Sequence, residues 1–193
     1  MTTRTVVLHN EGVPNPNAMK IVLENGVMTD EPYEYTSWTE AEDAPLARKL
    51  LMLRYVDRVM LNVNYVTIVK KANTSHWDEL LPELRRMVRT HLEENEPIIY
   101  VGAEKLKHQK TDDAVIKMVN QLLDKKIRPA AQVDGGDIVF ESYENGVLNL
   151  SMHGACSGCP YAINTLKQGV EPLLSQMVPE IKSVVAKDNN VPM

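Results

Sequence analysis

Between Glu93 and Lys110 the chain loses every regular spacing of apolar residues, becomes rich in charge, and carries Pro97 near its start and Gly102 within it. A stretch without an apolar face cannot run through one continuous core, so the 193 residues are expected to fold as two small domains. The expected boundaries are 1–95 for the first domain, 96–110 for a linker, 111–187 for the second domain and 188–193 for a frayed tail. Within the linker the run Ile98 to Val101 is apolar enough that it should be partly docked.

The first part reads as strands, helix, hairpin, helix. Val6-Val7-Leu8 has the character of a short strand, and Pro14-Asn15-Pro16-Asn17 can only be turn or loop. Ala18 to Leu23 and Val27-Met28 flank Asn25-Gly26, a dipeptide that predicts a hairpin. Pro45 suits the first turn of a helix whose apolar face is Leu46, Leu50 and Leu53. A second hairpin is expected from Val59-Met60-Leu61 and Tyr65 to Val69 around Asn62-Val63-Asn64. Ser75 and Asp78 have the form of a capping box, and the following helix repeats its apolar residues at helical spacing from Trp77 to Leu92.

In the second part Thr111-Asp112-Asp113 opens a helix that Lys125, Lys126 and Arg128 close and Pro129 ends, with charges at both ends opposing its dipole. Asp134-Gly135-Gly136-Asp137 is a turn into Ile138-Val139-Phe140. Asn145-Gly146 should fold that strand back onto Val147 to Met152. A loop, Gly154 to Cys159, then leads through Pro160 into another helix, and Ile181 to Ala186 can add an edge strand. The expected fold class is therefore α+β, with two small domains, each an antiparallel or mixed sheet packed on helices, joined by a linker.

The net charge is -5, with 21 basic and 26 acidic residues and no basic segment in either part, so nucleic acid is not expected as a partner. No apolar run approaches the length a membrane span needs, and Met1 to Glu11 lacks the pattern of a secretory signal, so a soluble protein of a reducing cytosol is expected. The chain has two cysteines, Cys156 and Cys159. A pair three residues apart cannot staple a fold of this size, so the two thiols point to chemistry.

On spacing alone that chemistry is open. A redox disulfide wants a thioredoxin-like βαβ setting, which the order helix, hairpin, loop, helix does not supply. A tetrahedral metal or an iron–sulfur cluster normally takes four protein ligands, and one chain offers two thiolates. A symmetric dimer would supply four, at an exposed and labile interface. His153 could join such a site but is expected to face solvent or to pack at its strand end. His9, His76, His91 and His108 are expected to be structural or exposed, and Asp134, Gly135, Gly136 and Asp137 to serve the turn.

The second part closely resembles the NifU C-terminal (Nfu) domain. The residues that carry the likeness are Arg128-Pro129, Asp134-Gly135-Gly136-Asp137, Gly154-Ala155-Cys156-Ser157-Gly158-Cys159-Pro160 and Thr165 to Glu171. The first part is similar to the N-terminal domain of Nfu proteins, through Pro14 to Lys20, Pro45 to Leu50 and Val66 to Lys70. The resemblance implies an iron–sulfur cluster carrier and no enzyme. Two protomers would hold a 4Fe-4S cluster, with 2Fe-2S as the other form, between their Cys156 and Cys159 loops and pass it to apo-proteins. It further implies that upstream assembly proteins supply the cluster, because a full-length NifU would carry further cysteines. The first domain would recognise targets or partners. The rival readings are a thiol–disulfide oxidoreductase and a zinc-bridged dimer. Pro172 departs from the family pattern and is expected to kink or end its helix early.

Overall fold

The structure is a computed structural model, and it describes residues 6–100, 102, 106 and 113–187. Thr111, Asp112, His108, Val101 and the tail from 188 lie outside the described residues. The chain forms two compact units, Met1–Val13 with Asn17–Leu106, and Pro14–Pro16 with Lys107–Met193.

The first unit is a five-stranded antiparallel sheet under helices. Its strands are β1 (Leu8–Gly12), β2 (Ala18–Leu23), β3 (Tyr33–Tyr35), β4 (Val56–Leu61) and β5 (Tyr65–Lys70), in the order β1-β2-β5-β4-β3. The helices are α1 (Pro45–Leu51) and α2 (Trp77–Glu93). Leu80, Leu84, Val88 and Leu92 form the buried stripe of α2, and Leu46, Ala47, Leu50 and Leu51 that of α1. Both stripes meet Leu8, Ile21, Leu23, Val59, Leu61, Val66 and Ile68 of the sheet in one core.

The hairpin expected at Asn62-Val63-Asn64 joins β4 to β5. The one expected at Asn25-Gly26 does not form. Strand β2 lies inside the sheet with β1 and β5 on its two sides, so no edge is left for Val27-Met28 to pair with. Instead Leu23 N–H donates to Asn64 O and Met28 N–H to Val63 O, which lays the segment against the β4–β5 turn. The capping box is also absent, because the N-cap of α2 is His76 and makes no side-chain cap bond; Asp78 and Glu79 still favour that end of the dipole. The start of the expected linker docks: Ile98 and Ile99 pack on the first core, and Tyr100 N–H donates to Asp43 O at 2.7 Å.

The second unit has a three-stranded sheet, β6 (Gly136–Glu144), β7 (Val147–Gly154) and β8 (Ser183–Lys187), in that order, antiparallel and then parallel. Asn145 and Gly146 have φ of 52° and 86°, the conformation a two-residue hairpin wants, and β8 is the edge strand expected from Ile181 to Ala186. Two helical segments pack on the sheet. The first is α3 (Ala114–Leu122), a π-helical turn at Leu123–Ile127, and α4 (Arg128–Val133). The second repeats that form as α5 (Ala162–Thr165), a π-helical turn at Leu166–Val170, and α6 (Glu171–Met177). Val119, Leu123, Leu166, Val170 and Leu174 meet Phe140, Leu148, Leu150 and Val184 in the core.

Three expectations need correction here. The N-cap is Asp113, whose side chain accepts from Val115 N–H at 2.8 Å and Ile116 N–H at 3.2 Å. Helical structure continues past both Pro129 and Pro172. In each segment the residue before proline donates one residue further back than in an α-helix, Arg128 N–H to Leu123 O and Glu171 N–H to Leu166 O. That wide turn takes up the step at which a proline ring would collide with an α-helical carbonyl. Glu171 then accepts from Lys167 and from Val184 N–H, which together hold its carboxyl below the usual range and tie the helix to β8. Finally, the second long helix begins at Ala162, after a turn through Pro160 and Tyr161.

Of the histidines, His91 is buried in α2 and its Nε2 lies 3.2 Å from Pro97 O. Burial pushes it below its ordinary value of 6.5, against the raising influence of Glu96. The unfolded chain therefore binds this proton more readily than the folded one, and His91 costs stability as the pH falls below about 6.5. His91→Gln is expected to lose less of its thermal midpoint than the parent between about pH 7.5 and about pH 5.5, as followed by circular dichroism. Equal losses would remove His91 as a source of the slope.

Candidate metal-binding loop

The cysteines sit where β7 stops pairing. Gly154, its last residue, has φ of 57°, the chain turns through Ala155 to Gly158, and Gly158 has φ of 64°. Cys156 N–H donates to His153 O at 3.1 Å, Ser157 N–H to Gly154 O at 3.2 Å and Ala162 N–H to Cys159 O at 3.1 Å, so the loop winds directly into α5. Neither cysteine is in a disulfide, and both are partly buried. They share the wall of an apolar groove with Ile127, Ala131, Met152, Ala162 and Leu166.

What places Cys156 is the absence of a side chain. A Cβ on Gly136 would lie 2.3 Å from Cys156 Sγ, 2.7 Å from Cys156 N and 2.9 Å from His153 O. Only glycine lets the loop close onto β6 here. The expectation that both Gly135 and Gly136 serve a turn holds for Gly135, whose φ is 75°, whereas Gly136 has no positive φ and serves the close approach.

Beside it lies a buried ion pair that sequence reasoning missed. Asp137 is fully buried, and Arg128 grips it with two bonds, Nε to Oδ1 at 2.8 Å and Nη2 to Oδ2 at 2.7 Å. Oδ1 also accepts from Ile138 N–H at 2.9 Å, and Arg128 Nη1 reaches Asp124 at 2.9 Å. Asp137 is thus no turn residue. Its signal was in the chain, as a carboxylate nine residues after an arginine, but Arg128 was absorbed into the helix-dipole reading. Asp134 is the C-cap of α4 and does not pair with it.

His153 was expected to face solvent or to pack at its strand end. It is buried, at 8% exposure, one residue from the end of β7 and opposite Asp137 in register. Among the described residues no group of three or more His, Cys, Asp and Glu side chains comes together. Among them Cys156 and Cys159 are therefore not part of a larger group of those side chains. Around the loop the surface is apolar: Tyr161 is 60% exposed, and Ile163 65%.

Comparison with known proteins gives this arrangement a class. Residues 119–185 match the NifU-like domain, and residues 8–95 match the scaffold protein Nfu/NifU N terminal domain. The second unit, with its cysteine loop, is a NifU-like domain. Carrying both domains in this order, the chain belongs to the Nfu family. It is 35% identical over 184 residues to a Drosophila persimilis protein named NFU1 iron-sulfur cluster scaffold homolog, mitochondrial, covering 94% of this chain and 65% of that one. The human protein of the same name is 29% identical over 188 residues, covering 94% of this chain and 72% of that one. A solved NifU-like protein from Saccharomyces cerevisiae aligns at 22% identity with a TM-score of 0.45, over 51% of this chain and 88% of that one.

Two stability predictions follow from the geometry around the loop. Gly136→Ala should cost about 1–3 kcal/mol in urea unfolding and raise the labelling rate of Cys156, since backbone on two sides cannot give way. Gly169→Ala is the control, because a Cβ there meets nothing within 4 Å. Arg128→Ala should cost about 3–5 kcal/mol by leaving Asp137 charged and unpaired, and Arg128→Ala with Asp137→Ala together should cost less than the single change. If the double variant is the less stable of the two, the ion pair is not the cause.

Proposed function

We propose that this chain is an iron–sulfur cluster carrier in which Cys156 and Cys159 hold the cargo. The observation that carries the reading is the two-thiol loop itself. Two cysteines outside any disulfide lie three residues apart at one turn, without a group of three or more His, Cys, Asp and Glu side chains among the described residues. A four-ligand cluster can then be completed by the same loop of a second copy, two thiolates from each. The name carried by the relatives above, iron–sulfur cluster scaffold, agrees with that reading.

As cargo the cluster would be 4Fe-4S, with 2Fe-2S the smaller form the same four thiolates could hold. Release is ligand exchange. A cysteine of the apo-protein gives up its proton and binds an iron as thiolate, and the displaced thiolate of Cys156 or Cys159 takes up a proton. No electron moves, and no bond within the cluster need break. Partly buried thiols with an exposed Tyr161 and Ile163 beside them suit this exchange, because a recipient can approach the loop on an apolar surface. Upstream assembly proteins would load the carrier, and the first domain would recognise partners. The role asks for no catalysis by the chain. Its thiols need a reducing compartment; the cytosol is our proposal, whereas the relatives named above are mitochondrial. No helix among the described residues is long and apolar enough to cross a membrane.

The test is anaerobic reconstitution with iron and sulfide, followed by iron and sulfide counts, a visible spectrum and mass in solution. About two iron per chain in a coloured dimer is expected, with the colour passing to an apo-enzyme. Cys156→Ser and Cys159→Ser should each lose the cluster while keeping the circular dichroism of the parent. A full cluster in either variant sinks the ligand assignment. A colourless monomer that cycles a Cys156–Cys159 disulfide, or tightly held zinc in fresh protein, would sink the carrier reading.

A further inference from the structure

The first unit carries a groove that its own fold leaves unused. One side is α2, where Asp78, Pro82, Arg85, Arg86 and Arg89 follow one another at helical spacing along the flank beside the buried stripe; the other side is Asn10 of β1. Three arginines within five positions repel one another, and in a chain of net charge -5 they form a local positive field. Arg85 is partly accounted for, since its Nη2 donates to Leu8 O at 3.0 Å. Arg86 and Arg89 are exposed and make no ion pair among the described residues. Among the described residues of the lining, Asp78 is the one acidic side chain.

The opposite wall is a sheet edge that pairs with no further strand among the described residues. β1 is the first strand of the order β1-β2-β5-β4-β3, and Glu24 N–H donates to Val7 O, which sets the bonded positions of its ladder at Val7, His9 and Glu11. Leu8, Asn10 and Gly12 therefore turn their backbone groups away from β2. Arg85 takes the carbonyl of Leu8. Asn10 also has a buried side-chain oxygen without a hydrogen-bond partner among the described residues, in the groove lining. Such an atom costs stability unless something donates to it.

From these we infer that the groove between β1 and α2 binds an extended acidic segment of a partner protein, which adds as a strand to the edge of β1 and sets its carboxylates against Arg86 and Arg89. Main-chain bonds at Asn10 and Gly12 would supply affinity and the arginines specificity. Side chains of an added strand alternate, so acids are wanted at every second position. The face of β1 away from α2 does not want further acids. Glu11 is engaged there by Lys20 at 2.8 Å and by His9 at 3.0 Å, and Glu24 by His9 at 3.3 Å. The inference rests on the reading of the first domain as the part that recognises partners, and it names the chemistry of what is recognised.

The test uses the full chain and a fluorescein-labelled peptide of alternating Glu and Thr, about eight residues long, followed by polarisation at low and at physiological salt. Binding that weakens with salt is expected, with protection of the Asn10 and Gly12 amides in hydrogen exchange and roughly tenfold or greater loss in Arg86→Glu/Arg89→Glu. Cluster loading of the same variant should match the parent. No binding at low salt, binding indifferent to the charge reversal, or equal binding of a peptide with its acids in adjacent pairs would overturn the inference. So would an RNA oligonucleotide that displaces the peptide at lower concentration. Failure of the peptide with normal cluster loading leaves the carrier reading standing, whereas peptide binding by a chain that cannot be loaded overturns that reading alone.

Discussion

In the second unit the cysteine loop depends on the grip of Arg128 on Asp137. Each charge is costly to remove from water, and a hydrophobic pair of equal size would often serve stability as well. What the ion pair adds is position. Two parallel bonds from a planar guanidinium admit one arrangement of donor and acceptor, so the end of the first helical segment is held against the second residue of β6. From there the hairpin register follows. Gly136 faces Gly154, Asp137 faces His153, and the turn that leaves Gly154 brings Cys156 back over Gly136. This chain of backbone constraints brings Cys156 over Gly136.

The wide turns before Pro129 and Pro172 belong to the same logic. A proline inside a regular helix removes one hydrogen bond and collides with the carbonyl four residues back. In both segments the preceding residue bonds five residues back instead, so the helix passes the proline without ending. The side chain of that preceding residue is then put to use. Arg128 reaches β6, and Glu171 accepts the Val184 N–H of β8. Each helical segment is tied to its own strand by the residue standing immediately before its proline.

This explains which parts of the fold were legible in the sequence. Asn145-Gly146 was read correctly because both flanking strands had free partners in each other, whereas Asn25-Gly26 carries the same local signal and lost to the sheet order around β2. Local chemistry proposes a hairpin, and the availability of an edge decides it. Pro129 and Pro172 were misread because a π-helical turn leaves no mark in apolar periodicity. At the site the thiols were legible, since two cysteines in 193 residues stand out. The residues that hold them were not. Gly136 was read as a turn residue when its role is a missing Cβ, and Asp137 as a turn former when its partner lies on the helix before it. Contacts of that kind exist only once the chain has folded.

The contrast between the rigid base and the open thiols bears on the proposed role. A site that keeps its metal for good is closed by ligands from one chain and supported by a second layer of bonds to those ligands. Here the supporting layer is present, in the Arg128–Asp137 pair and the Gly136 contact, but it supports the loop backbone and leaves both thiols partly exposed. A carrier must meet opposed demands, since thiolates too mobile would not gather a cluster and thiolates fully enclosed would not release it. Under the proposed function a stiff loop that supplies two thiolates would meet both, because holding would require a second copy and release would require only that one thiolate at a time be exchanged. On that view the basic groove on the first unit has a consequence for rate. A partner held at the proposed groove would have its cysteines at a raised local concentration around the loop, so the first domain would speed transfer without touching the cluster.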